Sequence, residues 1–468
     1  MDPLSQKPRR IHFVGIGGVG MSGIAQVLLN LGHHITGSDI VDSDATKRLT
    51  QMGARITLGH SGDAVSPETD VVVISSAAKF SNPEVLRARE LRIPVIPRAE
   101  MLAELMRMKS GIAVAGTHGK TTTTSLISTV LQQAALDPTV VIGGKVHSFG
   151  SNAQLGKGDL LVAEADESDG TFLLLSPTIA VVTNIEPEHL DFYGDLERIK
   201  DAFLQFINRI PFFGAAVVCL DDVVVRSLLP SARKRVITYG FSSDADYVVR
   251  DVSVQGMATV FTAEHHGESL GEFTVRMPGR HNALNALATI AVARQLGVSL
   301  DVIRAALSGF GGIHRRFEVC GEVSGIMVVT DYAHHPSEIR ATIAAAREGF
   351  QRRIVVLFQP HRYSRLRDLF ADFLDAFDSA DKLVLTEVYA AGEDPIEGIN
   401  GEVLWFALKR RGHLDVDYVA DCNYLPRAVA SELRAGDLVL LLGAGSIYRM
   451  GELLCRELSG SHEMLTLQ

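Results

Sequence analysis

Gly116-Thr117-His118-Gly119-Lys120-Thr121-Thr122-Thr123 sets two glycines, a lysine and a run of hydroxyls directly after the apolar segment 112–115. Main-chain N–H groups of such a loop cradle phosphates, the lysine reaches the β and γ oxygens, and a threonine hydroxyl ligates Mg2+. Gly116, Thr117, His118, Gly119, Lys120, Thr121 and Thr122 are therefore the candidate triphosphate contacts. Val114 stands where the usual GxxxxGK[ST] loop has its first glycine. The loop is expected to be tighter than that of ordinary P-loop NTPases.

Two further groups end apolar runs in the same part of the chain. Segment 160–163 leads into Glu164-Ala165-Asp166-Glu167-Ser168-Asp169, and segment 179–183 into Asn184-Ile185-Glu186-Pro187-Glu188-His189-Leu190-Asp191. Open α/β sheets bind ligands at the carboxyl ends of their strands, so Glu164 is expected to face the nucleotide's metal ion and His189 to be a second ligand. Singly, an acidic cluster reads as a solvated loop and a histidine as structural. Repetition at successive strand ends favours function.

Near the N-terminus, Gly15-Ile16-Gly17-Gly18-Val19-Gly20 follows a strand-like run and precedes a helix-like one. This GxGxxG spacing supplies a tight turn, close backbone approach and a helix N-terminus for a pyrophosphate. Ser38-Asp39 lies at the end of the next strand, with Asp39 19 residues beyond Gly20, where a ribose-binding acid belongs. Gly15, Gly17, Gly18, Val19, Gly20, Ser38 and Asp39 form this candidate site. The pattern specifies a diphosphate beside a ribose, which NAD and a nucleotide-sugar satisfy equally; a glycine turn made only for packing is the plain alternative.

Asn282 and Asn285 stand three apart at the start of an alanine-rich helix, on one face. They read either as an adenine-reading pair or as an N-cap with an incidental neighbour. A last constellation comprises Gly312-Ile313-His314-Arg315-Arg316-Phe317, Asp331-Tyr332-Ala333-His334-His335-Pro336 and Gln359-Pro360-His361-Arg362-Tyr363-Ser364-Arg365. Guanidinium forks gathered with imidazoles suit carboxylates and phosphoryl oxygens.

Short apolar runs alternating with helical-period segments must position these groups, which implies βα units and parallel sheets. Strands are expected at 11–14, 35–37, 71–74 and 94–96; then at 112–115, 140–142, 160–163, 179–183 and 215–220; then at 328–331, 354–358, 383–386, 416–419 and 438–442. Helices are expected at 22–31, 83–91, 100–109 and 282–295. Residues 244–273 alternate polar and β-branched side chains with Gly256 and Gly267 at turns, an antiparallel meander. The reading is α/β with three consecutive domains: 1–108, Rossmann-like; 109–313, a P-loop-type parallel sheet with a small antiparallel addition; and 314–468, Rossmann-like. Gly309, Gly311 and Gly312 would hinge the third over the second.

The 468 residues exceed a single core. Lys+Arg 45 against Asp+Glu 55 gives −10, which argues against a nucleic-acid or anionic-membrane scaffold. Four scattered cysteines fit a reducing compartment better than a disulfide framework. The polar segment 1–10 does not read as a secretory signal, and no apolar run is long enough to span a bilayer, so a cytoplasmic enzyme is expected. An NAD-dependent oxidoreductase leaves the second loop, Glu164 and His189 without a role. A nucleotide switch without turnover leaves the arginine and histidine clusters without one.

In this order, over essentially the whole chain, GIGGVGMSGIA, GTHGKTTTT, EADESD, TNIEPEHLD, GRHNALNA, RRFE, DYAHHP and HRYSR resemble the Mur ligases of peptidoglycan synthesis. GKTTT is shared with folylpolyglutamate synthases. The N-terminal loop with EADESD, DYAHHP and HRYSR narrows the resemblance to the alanine-adding branch, with the branch that recycles murein tripeptide as alternative. The resemblance implies an ATP- and Mg2+-dependent ligase that joins L-alanine to the lactyl carboxylate of UDP-N-acetylmuramate through an acyl-phosphate. Cell-wall biogenesis, cell shape and division are the processes it would serve. Partners would be these two substrates, with no nucleic acid or membrane, and the chain a monomer or weak homodimer. By the same resemblance Lys120 stabilises the transferring phosphoryl group, and Thr121 with Glu164 holds one Mg2+, Glu164 with His189 a second. Asn282 and Asn285 lie near adenine, and the first loop with Ser38 and Asp39 holds UDP. Arg315, Tyr332, His334, His361 and Arg365 position the muramyl carboxylate and amino acid, with Asp331 near the γ-phosphate. Several sister ligases carry a carbamylated lysine about 15 residues after the metal histidine; Leu204 stands there, with Lys200 the only nearby lysine, which agrees with the alanine-adding branch, similar to its sisters but without that lysine.

Overall fold

The computed structural model describes residues 7–75, 78–79, 81–142, 153–412 and 415–460, so the first six residues of the polar N-terminal segment lie outside the described residues. The chain divides into two compact units, one of residues 1–250, 262–273 and 284–311, the other of 251–261, 274–283 and 312–468.

Three sheets occur among the described residues. The first runs, in spatial order, Arg55–Leu58, His34–Asp39, Arg10–Val14, Val71–Ile74, Val95–Pro97. All its pairings are parallel, and the order reverses beside Arg10–Val14. That reversal is the switch point of a doubly wound sheet, and Gly15 begins the loop directly above it.

In the second sheet the strand Ser110–Ala115 lies between Leu160–Glu164 and Ile179–Val182, parallel to both. Val114 pairs with Glu164 and Ala115 with Val182, so the three strands end at one level. Beyond Ile179–Val182 follow Ala215–Cys219, Val236–Gly240, Tyr247–Gln255, Ala258–His265 and Glu268–Val275; beyond Leu160–Glu164 follow Thr139–Val141 and Ala153–Gln154. The last three strands on the first side are joined by two-residue turns, a connection only antiparallel neighbours allow, so the meander is present. The first two sheets share one apolar core, in which Val27 and Leu28 belong to the same cluster as Val141, Ala163 and Phe203.

The helix Lys120–Gln133 carries five threonines and two serines, poor helix formers whose hydroxyls compete with the backbone. Here the hydroxyls of Thr124, Ser125, Ser128 and Thr129 donate to the carbonyls four residues back, at 2.8, 2.6, 2.7 and 2.9 Å. Burial from Thr122 to Leu131 then overrides propensity.

The third sheet runs Glu318–Val323, Ile326–Asp331, Asp437–Leu442, Arg353–Phe358, Lys382–Leu385, Val416–Tyr418. Only its first pair is antiparallel. The architecture is thus mixed α/β, as expected.

Candidate active site

The loop after Ser110–Ala115 is shaped by two glycines with positive φ. Gly116 sits at 135°, where a Cβ would strike Thr183 Oγ1 and the Asn184 backbone, and Gly119 at 82°, where a Cβ would lie 2.8 Å from Asn285 Oδ1. Thr183 and Asn184, at the end of the neighbouring strand, clamp the loop. Asn184 accepts from His118 N–H at 2.8 Å and donates to the His118 carbonyl at 3.0 Å, imitating a backbone pair. Thr183 Oγ1 donates to the same carbonyl at 2.5 Å, and Thr117 N–H to the Asn184 carbonyl at 3.1 Å. Thr117 Oγ1 accepts from Glu186 N–H at 2.9 Å. A second loop thus does what the longer glycine loop of other P-loops does, which accounts for Val114.

Gly119 caps the helix without a side-chain cap bond, and Lys120 is the first helical residue. The ammonium of Lys120 donates to Gly116 O at 2.5 Å, Thr117 O at 3.0 Å and Glu167 Oε1 at 2.8 Å. Burial works against its charge, but Glu167, then Asp166 and Glu164, outweigh burial and hold its pKa above the ordinary lysine range. Burial pushes Glu167 up to about 7 against the pull of Lys120, with Asp166 adding to the rise. Burial also acts to raise Asp166, but Arg98 and then Lys120 keep it below the usual carboxylate range.

Thr121 and Glu164 are half-buried at the ends of adjacent elements, and His189, with φ of 55°, caps the short helix Leu190–Tyr193. A hydroxyl and a carboxylate are hard oxygen donors, and the carboxylates of Glu164, Asp166 and Glu167 outnumber Lys120. That surplus suits Mg2+ rather than a bare anion. Thr122 is buried in the first turn. Asn285, also buried, accepts from Thr123 Oγ1 at 3.1 Å and stands beside Gly119. Asn282 is buried with its amide donating to the Pro278 carbonyl at 2.9 Å.

In the first sheet the glycine loop spends its own donors. Gly15 and Ile16 N–H donate to the Ser38 carbonyl, Gly17 N–H to Asp39 Oδ2 at 2.7 Å and Gly18 N–H to the Gly15 carbonyl. Ser38 is fully buried and its hydroxyl donates to Glu84 at 2.6 Å. Gly20 follows in the helix Val19–Asn30; the Val19 side chain lies outside what is described.

In the second unit, Arg315 is laid between two rings, 4.7 Å from Tyr332 and 4.3 Å from Tyr448, and donates to the carbonyls of Gly443 and Gly445 at 3.1 and 3.3 Å. Asp331 accepts from Phe317 and Ala333 N–H, both at 2.7 Å; burial raises its pKa despite Arg316 and these bonds. His334 lies edge-on to Tyr332, 5.1 Å between centroids, and 5.8 Å from His361. Arg365 reaches the ring and carbonyl of His361, both at 3.2 Å. Burial, then His334 and Arg365, lowers His361 to about 3, so its ring is neutral at physiological pH. Tyr332, His334, His361, Arg365 and Arg315 are therefore one cluster at the carboxyl ends of three parallel strands.

Sequence reasoning missed Glu167, Asn184, Arg98 and Tyr448. Glu167 and Asn184 sit in the very segments that drew attention for Glu164 and His189. Tyr448 was signalled by Gly443 and Gly445, glycines just past a buried strand.

Residues 10–110 match the domain described as Mur ligase family, catalytic domain; 114–293 the Mur ligase middle domain; and 315–445 the Mur ligase, glutamate ligase domain. A UDP-N-acetylmuramate–L-alanine ligase of Geotalea daltonii is 58% identical over 452 residues, 97% of this chain and 98% of the relative. The chain belongs to the Mur ligase family.

This Mur ligase is accordingly an amide-bond-forming enzyme, and the oxidoreductase and switch readings fall away. The crystal structure of UDP-N-acetylmuramate–alanine ligase from Thermotoga maritima superposes with a TM-score of 0.82 at 33% identity, over 97% of this chain and 99% of that one. A murein peptide ligase from Psychrobacter arcticus gives 0.69 at 24% identity, over 97% and 100%, a likeness of fold.

Proposed function

We propose that this chain joins L-alanine to the lactyl carboxylate of UDP-N-acetylmuramate, with ATP as phosphoryl donor and Mg2+ as metal, in cytoplasmic synthesis of peptidoglycan precursor. The near-full-length 58% identity to a ligase of that name carries the reading. It also favours that reaction over murein-tripeptide recycling, since murein peptide ligases from Psychrobacter arcticus and Neisseria meningitides match at 24% and 29%. Among the described residues no helix is long and apolar enough to cross a membrane, and the four cysteines are free.

A carboxylate resists attack by an amine until one oxygen becomes a leaving group. Phosphoryl transfer to it needs positioning and charge neutralisation rather than a protein nucleophile. Gly116 to Thr122 cradle the triphosphate, Lys120 neutralises the transferring group, and Asn282 and Asn285 flank the adenine. Thr121, Glu164 and His189 hold Mg2+, which when bound screens the charge of the phosphoryl oxygens. The domain 1–108 presents the UDP-sugar, 109–313 the nucleotide, and 314–468 the amino acid, with Arg315, Asp331, Tyr332, His334, His361 and Arg365 orienting carboxylates.

The test is phosphate release from ATP by purified protein given UDP-N-acetylmuramate and Mg2+, with L-alanine or murein tripeptide as acceptor. Release with L-alanine is expected; release with tripeptide alone assigns the recycling reaction, and release with neither removes both.

A further inference from the structure

The front loop raises a problem of charge. Four of its N–H groups, from Gly15, Ile16, Gly17 and Gly18, are already spent within the protein, and Asp39 brings a carboxylate to Gly17. A diphosphate arriving there finds fewer backbone donors than a dinucleotide loop ordinarily offers, so a cation must be supplied by a side chain.

Arg98 stands in that position. It opens the helix Arg98–Arg107 straight after the strand Val95–Pro97. Its guanidinium lies on Gly20, where a Cβ would come within 2.7 Å of one terminal nitrogen and 3.1 Å of Cδ. The third glycine of the motif is therefore what admits the arginine. The other terminal nitrogen meets Asp166 Oδ2 at 3.0 Å, with Arg98 21% and Asp166 45% exposed. Asp166 lies next to Glu167, the partner of Lys120. One planar group thus bridges the front loop and the acidic segment beside the triphosphate loop, and the N–H edge of a guanidinium is the group that pairs two oxygens of a phosphate.

We propose that Arg98 is a binding residue for the diphosphate of the nucleotide-sugar, and that Asp166 is the positioning residue that holds its guanidinium over Gly20. This rests on the proposed function.

Calorimetric titration of the full chain with UDP-N-acetylmuramate, with steady-state kinetics, tests it. Arg98→Ala is expected to weaken UDP-N-acetylmuramate binding at least tenfold and raise its KM alike, with the KM values for ATP and L-alanine within about twofold of wild type. Arg98→Lys should recover part of the loss, and Asp166→Asn should raise the same KM severalfold without touching that for L-alanine. Thermal unfolding reports whether each variant is folded; should the alanine variant fail to fold, the lysine and Asp166 variants decide. Unchanged UDP-sugar affinity in folded Arg98 variants, or an equal rise in every KM, overturns the proposal. Absence of binding by the wild type strikes the functional reading instead.

Discussion

Oε1 of Glu167 lies 2.8 Å from Nζ of Lys120 and the Glu167 side chain is only 5% exposed, so the lysine of the glycine loop and its counter-ion form a buried pair. Removing one member of a buried pair ordinarily costs about 3–5 kcal/mol, because the other is left charged. Here the survivor has an exit: burial already places Glu167 at about 7 with Lys120 present, and without Lys120 it takes up a proton. Lys120→Ala is therefore expected to remain folded, with a circular dichroism spectrum like the wild type, while losing L-alanine-dependent phosphate release. Substantial ligation by that variant would remove Lys120 from its role.

The same carboxyl gives a pH signature. Its ordinary value is 4.5 and its folded value about 7, so between those limits the folded protein holds a proton that the unfolded chain has released. Stability from this group is therefore greatest below about 4.5, falls as pH rises towards 7 and does not recover above it. Glu167→Gln abolishes the titration. Thermal unfolding at pH 5 and 7.5 should show wild type losing stability relative to the variant, by up to about 1.4 kcal/mol per pH unit in the window. Parallel curves would contradict this assignment.

The strands legible in the sequence are those whose burial makes a continuous apolar run, such as Val71–Ile74, which begins and ends where expected. Arg55–Leu58 was missed because it is an edge strand with hardly a buried residue, and Glu318–Val323 because a bulge after Val319 breaks its alternation. Val236–Gly240, half-buried and apolar, was simply passed over. For the site, spacing exposed the groups that end strands but not their mutual bonds. Nothing in the order Ser38-Asp39 says that one hydroxyl turns inward to Glu84 while the next carboxylate closes on Gly17. Those outcomes depend on residues more than twenty positions away.

Asn184 offers the sharpest test of the two-loop clamp. Truncation to alanine deletes both of its bonds to His118, each worth about 1 kcal/mol, while the Thr183 hydroxyl still donates to the His118 carbonyl. Asn184→Ala should weaken binding of a non-hydrolysable ATP analogue by about tenfold and lower kcat, with the KM for L-alanine unchanged. Equal nucleotide affinity in wild type and variant would mean that the loop holds its shape without the clamp.

His189 caps the helix Leu190–Tyr193 with a left-handed backbone, a conformation that a non-glycine residue adopts at some cost. That backbone fixes the direction in which the imidazole leaves the chain. His189→Ala is expected to shift the Mg2+ titration of activity to higher metal concentration while leaving the KM for L-alanine in place at saturating metal. An unmoved titration would count against metal ligation.

Arg315 separates charge from shape. Lysine keeps the positive charge but lacks the flat surface that lies between Tyr332 and Tyr448 and the terminal nitrogen that reaches both Gly443 and Gly445 from that plane. Each ring contact is worth about 0.5–2 kcal/mol when desolvated, and the two carbonyl bonds fix the loop after Asp437–Leu442 beside the His334 and His361 cluster. Arg315→Lys should therefore lose nearly as much activity as Arg315→Ala, and unfold at a lower temperature than wild type. A lysine variant with wild-type turnover would show that charge alone suffices, and that the stacked geometry is incidental to catalysis.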